Sequence, residues 1–142
     1  MKVLIVDSDS VTMKALETAF AIRGFIVLTA QTGIDGLNKL IDPSRPKKPD
    51  LIIVDPVNAG MSGVELIRRI RAINSLASTP LIVVSANEDM IDICIMAGAT
   101  AGLSKPVAVE VIAKLSKRLL SEYDAARKDG SSVGYMTGPM TL

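Results

Sequence analysis

Short apolar runs alternate along the chain with stretches in which apolar residues recur every three or four positions. The runs at residues 3–6, 51–54 and 81–84 are unbroken, as in strands that are buried on both faces of a parallel sheet. Spacings such as that of Leu16 and Phe20 instead predict helices with one buried face. Strands and helices alternate five times, which predicts an α/β fold with right-handed crossovers.

Capping residues, glycines and prolines indicate where these elements begin and end. N-cap candidates for the first helix are Ser8, Asp9 and Ser10, while Gly24 ends the first helix and Gly98 ends the fourth. We expect a flavodoxin-like doubly wound sheet of five parallel strands in the order 2-1-3-4-5, with five helices. The predicted strands cover residues 2–6, 25–29, 51–54, 81–84 and 100–103, and the second, fourth and fifth helices cover about residues 33–41, 89–97 and 107–123.

The apolar spacing also assigns an inward and an outward face to the helices. Three arginines of the third helix, Arg68, Arg69 and Arg71, are expected on its solvated side. The residues predicted to face the sheet are Ile34, Leu37, Leu40 and Ile41 of the second helix and Leu66, Ile67 and Ile70 of the third.

Length and composition limit the classes of protein that fit. With 142 residues the chain is long enough for one domain, which we assign to residues 1–123. Glycine, serine and proline interrupt the periodicity of residues 124–142, which we interpret as a flexible C-terminal tail or linker stub. The 16 basic and 15 acidic residues leave a net charge of +1 and form no basic stripe, so we expect no direct nucleic-acid partner.

Three further features of composition bear on compartment and chemistry. The longest apolar runs are of strand length, far short of the roughly 20 residues that cross a bilayer. Cys94 is the single cysteine, which is consistent with a reducing compartment. We therefore expect an unanchored cytoplasmic protein. The chain has no histidine, which excludes imidazole acid-base catalysis and histidine metal ligands.

Four polar side chains follow predicted strands directly: Asp7, Asp55, Ser85 and Lys105. The carboxyl ends of parallel strands share the edge of the sheet where ligands bind, so these side chains should converge. A carboxylate can act as a nucleophile in phosphoryl transfer, and one or two carboxylates suffice to hold Mg²⁺ beside phosphate oxygens. We predict Asp55 as nucleophile, Asp7 with Asp55 as Mg²⁺ ligands, and Ser85 and Lys105 as donors to phosphoryl oxygens. Taken singly, Asp7 or Asp55 could equally be a cap of the turn after its strand, and Ser85 alone would more often be a helix cap.

In these residues the chain resembles the receiver domain of bacterial two-component response regulators, over about residues 1–123. The segments that carry the resemblance are residues 3–7, 49–55, 61–63, 85–86, 97–99 and 105–106. The resemblance implies that Asp55 accepts a phosphoryl group from a sensor histidine kinase or phosphotransfer protein. It implies that Ser85 is the switch hydroxyl and that Lys105 binds the phosphate. It further implies that Asp7, Asp55 and the backbone carbonyl of Val57 bind Mg²⁺, with Ser8 or Asp9 as a further candidate ligand.

The output implied by the resemblance is a small movement of the loop after strand four and of the face formed by helix 4, strand 5 and helix 5. Through that face the protein would signal to a downstream protein target or form a homodimer. Its chemistry would be limited to self-catalysed phosphoryl transfer and autodephosphorylation, so we do not expect a conventional enzyme.

The sequence departs from the family pattern at three positions. Ser8 stands where the family usually has a second acid, which should weaken Mg²⁺ binding. Gly102 stands three residues before Lys105, where the family tends to have an aromatic that moves on activation. Ala59 replaces a frequent proline, which we regard as minor. Val57 and Asn87 flank the route of an attacking water in the family, so the apolar Val57 predicts slow loss of phosphate.

Two alternatives and one interface hypothesis stay open at this point. Residues 6–11 also look like the first motif of haloacid-dehalogenase-like phosphatases, with Asp7 as nucleophile and Asp9 as general acid/base, but no later pair of acids completes that pattern. A receiver-like module that binds partners without phosphorylation would fit Ser8 and Gly102. On helix four, the outward side is predicted to carry Ile93 and Met96 beside two acids, which suggests an interface for a dimer or a target.

Overall fold

The computed structural model describes residues 1–57 and 60–128 in full and residues 140–141 as backbone. In these residues the chain alternates strand and helix, as the apolar pattern predicts. The strands are β1 (Lys2–Val6), β2 (Ile26–Ala30), β3 (Leu51–Val54), β4 (Leu81–Ser85), β5 (Ala101–Ser104) and β6 (Met140–Thr141). The helices are α1 (Ser10–Ile22), α2 (Gly33–Ile41), α3 (Gly63–Arg71), α4 (Glu88–Ala97) and α5 (Val109–Lys128), with a 3₁₀ turn at Asn74–Leu76.

The strands form one parallel sheet in the order β2-β1-β3-β4-β5, which confirms the predicted topology. The two-residue strand β6 adds to the outer edge of β5, where it pairs in parallel with Ala101 and Gly102. In the central register, Val6 lies between Ala30 and Val54. The residues that follow β1 and β3 therefore leave the sheet side by side.

Each face of the sheet has its own apolar core because successive strand residues point to opposite sides. Leu4 and Val6 of β1 belong to the cluster that packs under α2, α3 and α4. Val3 and Ile5 belong to the cluster under α1 and α5. The strands are thus covered on both sides, which explains their continuous apolar composition.

Several element boundaries differ from the sequence expectation, among them both ends of β5 and the start of α5. β2 begins at Ile26 rather than residue 25, because the Phe25 N–H bonds to the Phe20 carbonyl in the turn that leaves α1 and the two rings pack edge to face at 5.0 Å. α5 continues to Lys128, beyond the expected end near residue 123. The predicted flexible tail otherwise falls mostly on residues 129–139, which lie outside the described part of the chain.

The predicted inward positions of α2 are wrong for two residues, since Ile34 is 49% and Ile41 is 56% exposed. The helix approaches the sheet through Gly36, where an added Cβ would lie 3.0 Å from a methyl of Val6. This contact turns Gly36 and Leu40 toward the core. With the helix in this orientation, the two isoleucines lie at the sides of α2 and are exposed. Apolar spacing alone does not reveal how the helix is rotated about its axis.

Arg71 was predicted to face solvent, and the structure shows the opposite. Its guanidinium donates to the carbonyls of Gly98, Leu76 and Thr79 at 2.8 Å each and to the Thr100 hydroxyl at 3.3 Å. The chain after α3 folds back through the 3₁₀ turn, so its carbonyls surround the last turn of the helix. Arg71 thereby joins the end of α3 to the loops before β4 and β5.

No helix in the described ranges is both long and apolar enough to cross a membrane.

Candidate functional site

Three charged side chains meet where β1, β3 and β5 end. Lys105 Nζ lies 2.6 Å from Asp55 Oδ2 and 3.8 Å from Asp7 Oδ2. The backbone fixes this arrangement because the Asp55 N–H bonds to the carbonyl of Val6, and the Lys105 N–H bonds to the carbonyl of Ser85. The predicted convergence of Asp7, Asp55 and Lys105 is therefore present in the structure.

Asp55 is held at both carboxylate oxygens. Its Oδ1 accepts the N–H of Val57 at 2.9 Å, and its Oδ2 faces the Lys105 ammonium. The following loop is kept close by Gly63, whose N–H bonds to the Pro56 carbonyl. An added Cβ at Gly63 would lie 2.3 Å from Pro56 Cα, so only glycine permits this approach. The side chain of Asp55 remains partly accessible, at 13% exposure.

Asp7 is the more deeply buried carboxylate. Its Oδ1 accepts the N–H of Asp9 at 2.8 Å. Burial raises the pKa of Asp7 above its usual value, and the neighbouring charge of Asp55 acts in the same direction. The Asp9 N–H and the Lys105 ammonium oppose these effects without cancelling them. A second cation near Asp7 would therefore relieve an unfavourable buried charge.

Lys105 is the resident cation of the site. Its burial acts to lower the pKa of the ammonium, but the hydrogen bond to Asp55 and the attractions of Asp55 and Asp7 outweigh burial and raise the pKa. The side chain is protonated at neutral pH as a result. It therefore supplies a positive charge beside the Asp55 carboxylate.

Ser85 reaches the same edge of the sheet, but its hydroxyl has a local partner. The side chain is buried, and its Oγ accepts the N–H of Asn87 at 3.1 Å. Asn87 in turn caps α4 through its side-chain oxygen, which accepts the N–H of Met90. Among the described hydrogen bonds, none joins the Ser85 hydroxyl to Asp55 or Lys105. The backbone of Ser85 thus lies at the shared edge of the sheet as predicted, but the described hydrogen bond of its hydroxyl is to Asn87 rather than to the charged cluster.

Ser8 and Asp9, the further candidate ligands, have separate partners. The Ser8 hydroxyl donates to the carbonyl of Val57 at 3.4 Å, which is the carbonyl predicted to bind metal. Asp9 caps α1, accepting the Val11 N–H and the Thr12 hydroxyl. The Thr12 hydroxyl bond is the main reason why the pKa of Asp9 lies below its usual value. Asp9 therefore serves the helix end rather than the pocket.

Beside the charged cluster lies a cavity of about 400 Å³. Thr12, Ala86 and Pro106 contribute to its wall, together with the apolar residues of β1, α1 and α5 below. Sequence reasoning did not single out Thr12. Its position three residues after an N-cap aspartate is the signal that could have found it.

The donor set fits Mg²⁺. Asp7 and Asp55 direct Oδ2 atoms toward one point, the ammonium of Lys105, which shows that the pocket accommodates a cation there. No group of three or more acid, cysteine or histidine side chains converges within residues 1–57 and 60–128. The described residues therefore offer two carboxylates, Asp7 and Asp55, to a cation at this point.

Gly102 stands where the family tends to have an aromatic residue, and a side chain of α4 lies beside it. An added Cβ at Gly102 would lie 2.2 Å from Cγ2 of Ile91, which is buried against β5. The space beside β5 that a side chain at this position would enter is thus filled from the neighbouring helix. Ala59, the minor departure in the sequence, lies outside the described residues.

Comparison with known proteins agrees with this geometry. A family model described as the response regulator receiver domain matches residues 3–117. The chain belongs to this family. The receiver domain is a signalling domain of two-component systems rather than a conventional enzyme, and the family typically binds Mg²⁺ at its acidic pocket. The resemblance in the sequence is confirmed, and the phosphatase alternative is set aside.

Relatives and solved structures extend the match beyond the motif residues. The receiver domain is 33% identical over 133 residues to the transcriptional regulatory protein AfsQ1 of Streptomyces coelicolor, covering 92% of this chain and 56% of that protein. It is 30% identical to CseB of the same organism, covering 99% of this chain and 59% of that protein. The chain thus spans little more than half the length of these relatives. The chemotaxis response regulator CheY4 of Vibrio cholerae has a TM-score of 0.73 at 26% identity, covering 82% of this chain and 96% of that one.

The buried charge of Asp7 predicts that Asp7→Asn raises the free energy of unfolding by an amount that depends on pH. Because the pKa of Asp7 is raised on folding, the native state favours the protonated acid, and this contribution to stability is lost as pH rises from about 3.8 through the folded pKa. At pH 7 without divalent cations, Asp7→Asn should raise the free energy of unfolding by about 1 kcal/mol. Below about pH 3.8 the gain should vanish. Urea denaturation at both pH values in EDTA measures it.

The neighbouring acid provides a matched control for that experiment. The pKa of Asp9 is lowered on folding, mainly by the Thr12 hydroxyl, so its charge stabilises the native state above the unfolded pKa and this contribution is lost in acid. Asp9→Asn should therefore lower stability at pH 7, opposite in sign to Asp7→Asn. A lower stability of Asp7→Asn at pH 7 would contradict the interpretation that the buried charge of Asp7 destabilises the native state.

Proposed function

We propose that this receiver domain accepts a phosphoryl group on Asp55 and acts as a phosphorylation-dependent switch of a two-component phosphorelay. The observation that carries the proposal is the contact of Asp55 with the Lys105 ammonium, with Asp7 alongside. A carboxylate with a fixed cation beside it is suited to attack phosphorus, because the cation neutralises charge on the phosphoryl oxygens.

In the proposed transfer, an Asp55 oxygen forms a bond to phosphorus while the bond from phosphorus to the donor breaks. With a phosphohistidine donor, the imidazole nitrogen leaves with the electron pair. The Lys105 ammonium exchanges its hydrogen bond to the Asp55 carboxylate for one to a phosphoryl oxygen. Asp7, Asp55 and the Val57 carbonyl would hold Mg²⁺, which would supply further neutralisation of the phosphoryl oxygens.

Ser85 is the proposed link between the phosphoryl group and α4. Its hydroxyl now accepts the Asn87 N–H, and a hydroxyl can donate to a phosphoryl oxygen if it rotates. A change of the Ser85 χ1 rotamer that carries the hydroxyl to the phosphoryl group would remove this acceptor from the turn that begins α4. The proposed output is therefore a displacement of this turn and of the α4, β5 and α5 face, where Ile93 and Met96 are exposed.

The proposed partners follow from the family. Receiver domains interact with histidine kinases and downstream effectors. We propose a sensor histidine kinase or phosphotransfer protein as the donor and a protein target that contacts the α4, β5 and α5 face. Two of the relatives are named transcriptional regulatory proteins, and they extend well beyond the length matched by this chain.

The direct test is the intact mass of the protein after incubation with acetyl phosphate and Mg²⁺. We expect a single phosphoryl adduct on the wild type, dependence of the adduct on Mg²⁺, and its complete loss in Asp55→Asn. The Asp7→Asn variant, which keeps the nucleophile but loses a metal ligand, should form the adduct much more slowly.

Other outcomes point to the alternatives. A well-folded wild type that forms no adduct with acetyl phosphate or a phosphorylated phosphotransfer protein would contradict the proposal and favour a module that binds partners without phosphorylation. An adduct that survives in Asp55→Asn but not in Asp7→Asn would place the nucleophile on β1 instead of β3.

A further inference from the structure

A groove lies between α1 and α5, far from the phosphoacceptor. Met1 and Phe25, which line one end, precede β1 and β2, so the groove opens near the amino ends of these strands. It has a volume of about 790 Å³ and runs along α5 from Glu110 to Asp124, a helical length of about 21 Å. Met1, which is 60% exposed, and the half-buried Phe25 supply its accessible apolar floor, whereas Phe20 is fully buried.

The wall of the groove carries three basic side chains and two acidic ones, Glu110 and Asp124. Lys114 and Lys117 of α5 and Arg23 at the end of α1 line it. Asp124, at the far end, is already paired with Lys128 at 3.0 Å. Among the described ion pairs, none involves either lysine of the wall.

Glu110 stands four residues before Lys114 and is its helical neighbour, whereas Lys117 has no acidic neighbour on α5. Side chains three or four residues apart on a helix are adjacent, and Lys114 and Lys117 stand three apart. The other positions adjacent to Lys117 are Ala113, Leu120 and Ser121, none of which is acidic. Like charges at this spacing cost helix stability, so an acidic group placed between them would be favourable.

The same chain presents a surface of opposite charge on α4. Asp89, Asp92, Ile93 and Met96 follow the spacing i, i+3, i+4, i+7, which places them in one stripe of the helix. Ile93 is 46% and Met96 is 87% exposed, and both acids are exposed. α4 contains no basic residue. Its outward stripe is therefore acidic toward the start of the helix and apolar toward its end.

We propose that α4 of one molecule docks in the α1–α5 groove of a second copy of this chain. Ile93 and Met96 would lie on the apolar floor, and Asp89 and Asp92 would face Lys114 and Lys117. The α4 stripe occupies about 10 Å of helix and so enters a groove about twice as long. The charges and the apolar side chains match within one sequence, without a foreign partner.

The contact would be heterologous, because the two molecules use different surfaces. Each added copy leaves one groove and one α4 unoccupied, so the association is head to tail and grows with concentration rather than stopping at a dimer. The interface is small and relies on exposed charges, so it should be weak and sensitive to salt. This association goes beyond the proposed phosphoryl transfer and requires no phosphate on Asp55.

Sedimentation equilibrium of the full chain tests the proposal. The weight-average mass of the wild type should rise with protein concentration up to about 1 mM, and the rise should diminish as the ionic strength approaches about 0.5 M. Two charge reversals, Lys114→Glu with Lys117→Glu, should weaken association at least about tenfold. The pair Asp89→Lys with Asp92→Lys should do the same. All four residues are exposed, and circular dichroism verifies the fold of each variant.

Mixing the two charge-reversed proteins gives the decisive comparison. Each is mismatched with itself, but the α4 of one is complementary to the groove of the other, so an equimolar mixture should associate again. Arg118→Glu, a reversal on α5 at a residue that does not line the groove, should behave as the wild type. A wild type that stays monomeric, charge-reversed variants that associate like it, or a mixture that stays monomeric would each overturn the proposal.

Discussion

Lys105→Met is expected to slow phosphorylation of Asp55 by about 100-fold and to strengthen Mg²⁺ binding at the same time. The ammonium lies 2.6 Å from Asp55 Oδ2 and 3.8 Å from Asp7 Oδ2. Its removal withdraws the cation that would stabilise the transferring phosphoryl group. Loss of one stabilising group of this kind typically lowers the rate by about 10²–10³-fold. It also removes a positive charge that repels a second cation from the same two carboxylates.

The opposite signs of these two effects distinguish an electrostatic role from a structural one. Initial rates of adduct formation with acetyl phosphate at saturating Mg²⁺ measure the phosphorylation rate. Calorimetric titration with Mg²⁺ measures the metal affinity. Arg69→Met serves as a control, since that exposed arginine pairs with Glu65 on α3 and is remote from β5. Parallel losses of rate and of metal affinity in Lys105→Met would contradict the assignment, because a distorted pocket would lower both.

Arg71→Met is expected to lower the free energy of unfolding by about 3 kcal/mol. Methionine retains the apolar stem but donates no hydrogen bonds to the carbonyls of Leu76, Thr79 and Gly98. Hydrogen bonds to a charged group contribute about 1.5–3 kcal/mol each, and partial access of water to the vacated carbonyls reduces the sum. The loss should appear as a lower urea midpoint with an unchanged slope.

The same helix supplies the matched control for Arg71. Arg69→Met removes an exposed ion pair with Glu65, with side-chain exposures of 56% and 45%, and should change stability by less than about 0.5 kcal/mol. The adduct test on folded Arg71→Met should still give phosphorylation of Asp55, because the described hydrogen bonds of Arg71 go to the loops before β4 and β5. Equal effects of the two substitutions would show that the guanidinium of Arg71 contributes no more than a surface charge.

The parts of the structure that sequence predicted correctly depend on local signals. Unbroken apolar runs identify buried strands, and the polar residue directly after each run lies at a shared edge once the strands are parallel. Asp7, Asp55 and Lys105 are brought together by this rule alone. Strand order was also accessible, because few topologies satisfy short, right-handed connections.

The parts that sequence missed depend on contacts between distant segments. Arg71 was assigned to solvent from its helical position, but its acceptors at Gly98 and Thr100 are 27 and 29 residues away. The Ser85 hydroxyl was expected in the pocket, and a turn two residues long gives it a nearer partner. In both cases the side chain is placed by hydrogen bonds that hydrophobic periodicity does not report.

The close approach of Ile91 to Gly102 has a consequence for how this sequence can vary. A Cβ at position 102 would lie 2.2 Å from the Ile91 side chain, so the two positions share a single volume beside β5. We expect them to vary as a pair among related sequences, with a larger residue at 102 accompanied by a smaller one at 91. A Gly102→Ala substitution that fails alone should accordingly be rescued by Ile91→Ala, which removes the Cγ2 methyl, and not by Ile91→Val, which keeps it.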